Sequence, residues 1–323
     1  MNDLLKYADL FNDIVPWSGT VPNGFTVDFL GILTRKRFRE PWGSHPRYVD
    51  GKHLEVLHPS IEQDFDFWFE AAHWVLAARE ANDSFVMVTL GALHGYQAVG
   101  SYHTLQRLNP MPCKLVAVEP IPENMERVRL HMRDNGIDPD QHWLIEAAIN
   151  DSNDPILFPV GSPGLGAQNC VATDEQAARQ SYFDALVAQG RVEEALENIL
   201  LHNTTGLEKE IIVGEGHAGE IKFISSVTLK DVLSPFDQID FVEADIQQSE
   251  INVFPPFVGL LRKKVRRIHL ATHGKDTHIA LRDMFADEGW EIVFSYEPDS
   301  EFDTPLGRLK TNDGVLSVIN PYL

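Results

Sequence analysis

The stretch VTLGALHGYQAV, residues 88–99, has the residue types of a turn that grips a ligand. An apolar run leads into Gly91, Gly95 follows four residues on, and a helix-like sequence begins beyond it. Glycines here let backbone approach a ligand closely, and the helix start offers free N–H groups. The dinucleotide fingerprint G-x-G-x-x-G needs glycine at position 93, where the chain has Leu93, and this weighs against a nicotinamide cofactor. Glu119 closes the next apolar run, KLVAVEP. In a doubly wound sheet successive strand ends lie side by side at the carboxyl edge, where an acid accepts both hydroxyls of a ribose. Each feature also has a plainer reading, the glycines as turn geometry and Glu119 as a solvated strand cap.

Further along, Asp245 ends the run IDFVEADI, Glu250 follows it, and HLATHGKDTH carries His269, His273 and His278. His273, just past VRRIHLA, is expected at the same edge, so Asp245, Glu250 and His273 are the candidate bases for removing a proton from a substrate. His94 lies inside the glycine loop, where it either touches the ligand or faces solvent. The three histidines with Asp245 and Glu250 also invite a divalent-ion reading, but their spacing matches no compact metal motif, and a metal is not favoured.

These residues need a scaffold. From Phe85 onward short strands alternate with helices: FVMVTL, GYQAVGSYHTLQRL, KLVAVE, PENMERVRLHMRDN and HWLIEAAI. Pro122 opens one helix and Gly136 follows its end, each at the end where it is favoured. The alternation predicts parallel strands with crossover helices. It breaks between residues 150 and 238, where GSPGLGAQN reads as a loop and possible lid. EQAARQSYFDALVAQ and RVEEALENILL then read as two helices broken at Gly190, and EIIVG and EIKFISSV as strands. It resumes with IDFVEADI, a short helix near EINVF, VRRIHLA, the helix DTHIALRDMFADE, and a final antiparallel pair, WEIVFSY and GVLSVIN. Upstream, Ser60 and Gln63 suggest a capping box ahead of a helix whose face is Phe65, Trp68, Phe69, Ala72 and Leu76. The first 59 residues, with five prolines among short apolar runs such as FTVDFLGIL, read as strand and loops wrapped on a core.

Composition sets outer limits. The chain has 323 residues, 43% of them hydrophobic, enough to bury a full core. With 27 Lys and Arg against 48 Asp and Glu, the net charge is −21, which argues against nucleic-acid and anionic-membrane partners. Cys113 and Cys170 stand in neither a metal nor a redox spacing, which suits a reducing compartment. The acidic start MNDLLKYADLFNDIV is unlike a secretory leader, and no apolar run reaches spanning length, so a cytoplasmic protein is expected.

Four stretches resemble the FkbM-type S-adenosylmethionine-dependent methyltransferases: VTLGALHGY, similar to V-D-V-G-A-N-x-G-Y; VAVEPIPEN, similar to EP-x-P-x-N; EAAIND; and IDFVEADIQQSEINVF, similar to D-x-x-K-x-D-[IV]-[EQ]-G-[AS]-E. The resemblance covers roughly residues 85–160 and 225–320 and implies an α/β fold, a class I methyltransferase Rossmann-like sheet. Its seven strands would be mostly parallel, with one antiparallel strand near the end. It implies S-adenosylmethionine as cofactor, Gly91 and Gly95 under its methionine part, Glu119 and the adjoining Pro120 at the ribose, Ala147 at the adenine, and Asp245 at the methyl-transfer site. Thr89, His94 and Asp245 complete the expected cofactor contacts. The chain departs from the pattern at Thr89 (an acid in the family), Leu93 (asparagine), Glu243 (lysine) and Gln248 (glycine). The expected organisation is an N-terminal extension over residues 1–80 and a methyltransferase domain over 81–323, with 160–222 as an inserted cap. The expected activity is O-methylation of a small hydroxylated metabolite, a sugar or natural product, by a protein that dimerises through, or caps its pocket with, the helices near 175–201. The departures keep open a non-catalytic binding protein on the same scaffold, and, less favoured, a nicotinamide-dependent oxidoreductase.

Overall fold

Seven strands build the central sheet: β1 (Phe85–Leu90), β2 (Cys113–Val118), β3 (Trp143–Ile145), β4 (Ile239–Ala244), β5 (Val265–Thr272), β6 (Glu291–Tyr296) and β7 (Gly314–Ile319). The structure is a computed structural model that describes residues 4–39, 51–63, 65–160, 210–213, 217–247 and 249–323. The spatial order is β6-β7-β5-β4-β1-β2-β3. The five strands from β3 to β5 run parallel. Strand β7 lies antiparallel to both neighbours, between β5 and the edge strand β6. This is the mixed seven-stranded class I methyltransferase order that the resemblance implies.

Parallel strands covered on both faces should be apolar throughout rather than alternating. All six residues of β1, FVMVTL, and all six of β4, IDFVEA, are buried. Helices α1 (Phe65–Glu80), α2 (Tyr96–Leu108), α3 (Pro122–Asp134), α4 (Leu229–Leu233), α5 (Val258–Lys264) and α6 (Lys275–Asp287) accompany the sheet. Two apolar clusters separate the faces. One joins Trp68, Phe69 and Trp74 of α1 to Met87 and Phe241 of the sheet and to Leu10, Phe11 and Phe29 of the N-terminal segment. The other joins Val88, Val242 and Ile268 to Leu233, Leu261 and Phe285. The N-terminal segment therefore shares its core with the sheet, and it contributes two short antiparallel pairs, Ser18–Thr20 with His53–Glu55 and Phe25–Val27 with Leu33–Arg35.

Several local expectations change. Ser60 and Gln63 form a turn, the Gln63 N–H donating to the Ser60 carbonyl at 3.2 Å, and the helix begins at Phe65 rather than at a capping box. HWLIEAAI breaks into β3 and a short strand, Ala148–Ile149, that pairs parallel with Ser226–Val227. Between β6 and β7 the chain inserts a hairpin, Ser300–Thr304 with Gly307–Thr311, where the sequence reading predicts no helix and names no further strand. Strands Ile156–Val160, Glu210–Val213 and His217–Ile224 form a separate antiparallel sheet. The GSPGLGAQN loop, the helices expected between 175 and 201, Cys170 and Gln248 lie outside the described residues. Among the described residues no helix is long and apolar enough to cross a membrane.

Candidate functional site

Strand order reverses between β1 and β4, which leaves a crevice beyond their carboxyl ends, where open α/β sheets take their ligands. A cavity of about 1100 Å³ occupies this place. Gly91, Ala92, Leu93 and His94 form one side, and Glu243 and Asp245 stand at the β4 end. Residues 26–29 and 54–60 of the N-terminal segment supply the facing wall, together with Glu70 of α1 and Asn312 after the hairpin.

The glycine loop has its shape for reasons internal to the protein. The N–H groups of Gly91 and Ala92 both donate to the Val118 carbonyl at 3.0 Å. Gly91 has φ +79°, and a Cβ on it would lie 2.1 Å from the Asp245 carbonyl oxygen, so glycine is required where the loop passes the end of β4. Leu93 is left-handed at φ +53°, a conformation costly for leucine and easy for the asparagine of the family pattern. That turn aims the Leu93 N–H at Glu119 Oε2, 2.8 Å away. Glu119 Oε1 accepts from the Ile121 N–H at 3.1 Å and from Asn124 Nδ2 at 3.2 Å. Glu119 is 2% exposed, and burial, opposed by these hydrogen bonds, raises its pKa to about 7. Glu119, Pro120 and Ala147 are buried outside the cavity wall. As placed, Glu119 anchors the loop.

Thr89 and Glu243 are register partners on adjacent strands. The Thr89 hydroxyl donates to Glu243 Oε2 at 2.6 Å, with both side chains buried. Thr89 and Glu243 thus form one hydrogen-bonded pair, which places a carboxylate one strand over from position 89. Burial raises the Glu243 pKa well above the ordinary value, and nearby Glu70 and Asp245 push the same way against the Thr89 hydrogen bond. Among the described residues no cation pairs with Glu243.

Asp245, His273 and Glu250, expected together, do come together. His273 Nε2 lies 3.5 Å from Asp245 Oδ1, and its Nδ1 lies 3.4 Å from Glu250 Oε1. Asp313, absent from the sequence reading, lies 3.4 Å from His273 Nε2. Gln247 Nε2 donates to Asp245 Oδ1 at 2.9 Å and sits 3.0 Å from His273 Nε2. Burial works against the charge on His273, yet the three carboxylates prevail and hold its pKa at about 9. Asp245 opens toward the cavity with 44% of its side chain exposed. Enclosure by the surrounding protein raises its pKa, and His273 opposes the rise. Glu250 is fully buried and accepts from the Ile246 N–H at 3.1 Å, so it secures the turn that carries Asp245.

The remaining histidines disperse. His269 Nδ1 meets Ser317 Oγ at 3.0 Å inside the core, facing His73. His278 is held between Thr272 Oγ1 at 2.8 Å and Ser295 Oγ at 3.0 Å. They therefore do not converge with His273 on one point, and among the described residues no His, Cys, Asp and Glu group forms a metal-holding set. His94 is buried against Phe38, Tyr96 and His131, and burial keeps its imidazole neutral. Tyr96, on the cavity wall, donates to Asp28 Oδ2 at 2.7 Å and so ties the N-terminal segment to the glycine loop's helix.

Only a turn signal, Asn312-Asp313-Gly314, marked the position of Asp313 in the sequence, and nothing there linked it to His273.

No family profile matches the chain, and no curated protein matches it. Among solved structures it is similar to a precorrin-6y C5,15-methyltransferase from Geobacter metallireducens GS-15, at 10% identity over 81% of this chain and 92% of that one, with a TM-score of 0.38. It is similar to the methyltransferase FkbM from Methylobacillus flagellatus KT, at 12% identity over 73% of this chain and 44% of that one, with a TM-score of 0.38. An O-methyltransferase from Bacillus cereus matches at 10% identity over 77% and 80%, with a TM-score of 0.36. At these scores the likenesses carry no argument about function, and the fold rests on the chain's own strand order.

Proposed function

We propose that the chain is an S-adenosylmethionine-dependent methyltransferase of FkbM type, acting on a hydroxyl of a small metabolite. The observation that carries this reading is the carboxylate pair Glu243 and Asp245 beside the glycine loop, in a cavity at the strand-order reversal. A buried acid with no cation beside it among the described residues suits a ligand that brings its own positive charge. Non-glycine residues held at positive φ cluster at functional sites. Of the four such residues among the described ones, Leu93 and Gln247 lie in the two loops at this cavity, and Asp299 bonds its N–H to the carbonyl of cavity-lining Asn312.

The cofactor supplies a methyl group on a sulfonium, already activated for displacement. The chain's own residues then bind, align and remove one proton. Glu243, oriented by Thr89, gives up its proton to hold the cationic methionine end, whose charge offsets the burial that otherwise favours the neutral acid. Asp245 faces the acceptor and takes the hydroxyl proton, for which its raised pKa suits it. His273, protonated at neutral pH, steadies Asp245 rather than acting as the base. Ribose binding by Glu119 is the part of the proposal that requires movement, since three of its about four acceptor positions are filled by protein donors. That closure is also what favours the second reading, a binding protein without turnover.

Calorimetric titration with S-adenosylmethionine and S-adenosylhomocysteine tests the reading. Saturable binding is expected, weakened about tenfold or more by Glu243→Gln. Asp245→Asn is expected to lower turnover more than affinity once an acceptor is found. Absence of binding at millimolar cofactor refutes the proposal.

A further inference from the structure

We infer that Asp313 is a positioning residue of this site, which holds the His273 ring so that the imidazole fixes Asp245 against the cavity. Three separate pieces of chain meet at this ring. His273 follows β5, the stretch after β4 brings Asp245, Gln247 and Glu250, and Asp313 stands in the turn between the hairpin and β7. One ring nitrogen faces Glu250 at 3.4 Å, and the other lies between Asp245 at 3.5 Å and Asp313 at 3.4 Å, with the Gln247 amide nearer still at 3.0 Å. A protonated ring nitrogen requires that amide to turn its oxygen to the ring. The ring is 11% exposed, so water does little to screen these pairs. Lys275, two residues on, pairs with Glu297 at 3.9 Å and leaves the carboxylates to His273.

The geometry gives the carboxylates different duties. Buried Glu250 faces the ring from the Nδ1 side as a charge contact at 3.4 Å, outside hydrogen-bond geometry. At Nε2 two carboxylates approach, Asp245 and Asp313, each with nearly half of its side chain exposed. Asp313 supplies a second charge on the same nitrogen from a separate stretch of chain, which keeps the ring aimed between the two. The hairpin Ser300–Thr304 with Gly307–Thr311 thereby becomes part of the site: it brings Asn312 to the cavity wall and Asp313 to the ring. The functional consequence rests on the reading of Asp245 as the proton acceptor, whereas the clamp itself is defined without any cofactor.

The test is a pH titration of the His273 ring nitrogens by NMR on the full chain without ligand, with the signal assigned by its loss in His273→Gln. The wild-type ring is expected to stay doubly protonated through neutral pH. Asp313→Asn is expected to lower its titration midpoint by about one unit, a tenfold change in proton affinity. Asp313→Glu should restore part of that shift, and Asp303→Asn, an exposed acid on the same hairpin, should change nothing. An unchanged midpoint in folded Asp313→Asn overturns the proposal. So does a wild-type midpoint near the ordinary histidine value, which decides the matter even if the variant does not fold. Titration with S-adenosylmethionine on the same samples separates the two claims: a clamp without cofactor binding refutes the methyltransferase reading alone, and cofactor binding without a clamp refutes only the role of Asp313.

Discussion

Leu93 and Thr89 show how single residues were legible as departures but not as solutions. Leucine at φ +53° costs about 1 kcal/mol or more relative to a residue that tolerates the left-handed region. Leu93→Asn is accordingly expected to stabilise the fold by about 1 kcal/mol, read from urea denaturation. A loss of stability would mean that the leucine side chain's packing outweighs the backbone cost. The lack of an acid at position 89 was plain from the sequence, yet the carboxylate beside it depended on Glu243 lying opposite in register. Register belongs to pairing between strands separated by about half the chain, and no local pattern encodes it. Glu119 shows the converse: its type and place at a strand end suggested a ribose, while the donors that fill it are the Leu93 N–H of the neighbouring loop and the Ile121 N–H and Asn124 side chain that follow it.

At the scale of elements, the seam between β1 and β4 governs the site. Gly91 reads in sequence as a residue cleared for a ligand, but its missing side chain first makes room for the Asp245 carbonyl. Gly91→Ala combines that 2.1 Å collision with a positive φ. It is expected to cost about 3 kcal/mol, measured by denaturation, with the Asp245 turn displaced as well. A variant of wild-type stability would show that the two strand ends are less tightly joined than this seam implies. The strands themselves were legible because buried parallel strands are continuous apolar runs, and the helices because their apolar residues recur at helical spacing. The hairpin before β7 escaped because EPDSEFDTPLGRLKTNDG is polar and turn-rich, with no apolar alternation to mark two strands.

Across the whole molecule, 48 acids against 27 basic side chains make self-repulsion a standing cost of compactness. Raising monovalent salt from about 10 to about 150 mM shortens the screening length from about 30 to about 8 Å. The melting temperature is expected to rise by a few degrees over that range; a fall would mean that attractive pairs such as Arg35 with Asp134 outweigh the excess of acids. The sequence by itself determined the α/β class, the succession of strands and helices along most of the sheet, and the gathering of Gly91, Asp245 and His273 at one edge. These follow from periodicity and from the rule that parallel strands present their ends together. Only the tertiary structure decided that Thr89 serves Glu243, that Glu119 is turned inward, that His269 and His278 are spent on core hydroxyls, and that Asp313 completes the ring around His273. Each of these depends on side-chain direction and on contacts between distant segments, which are fixed when the sheet closes rather than by any neighbour in sequence.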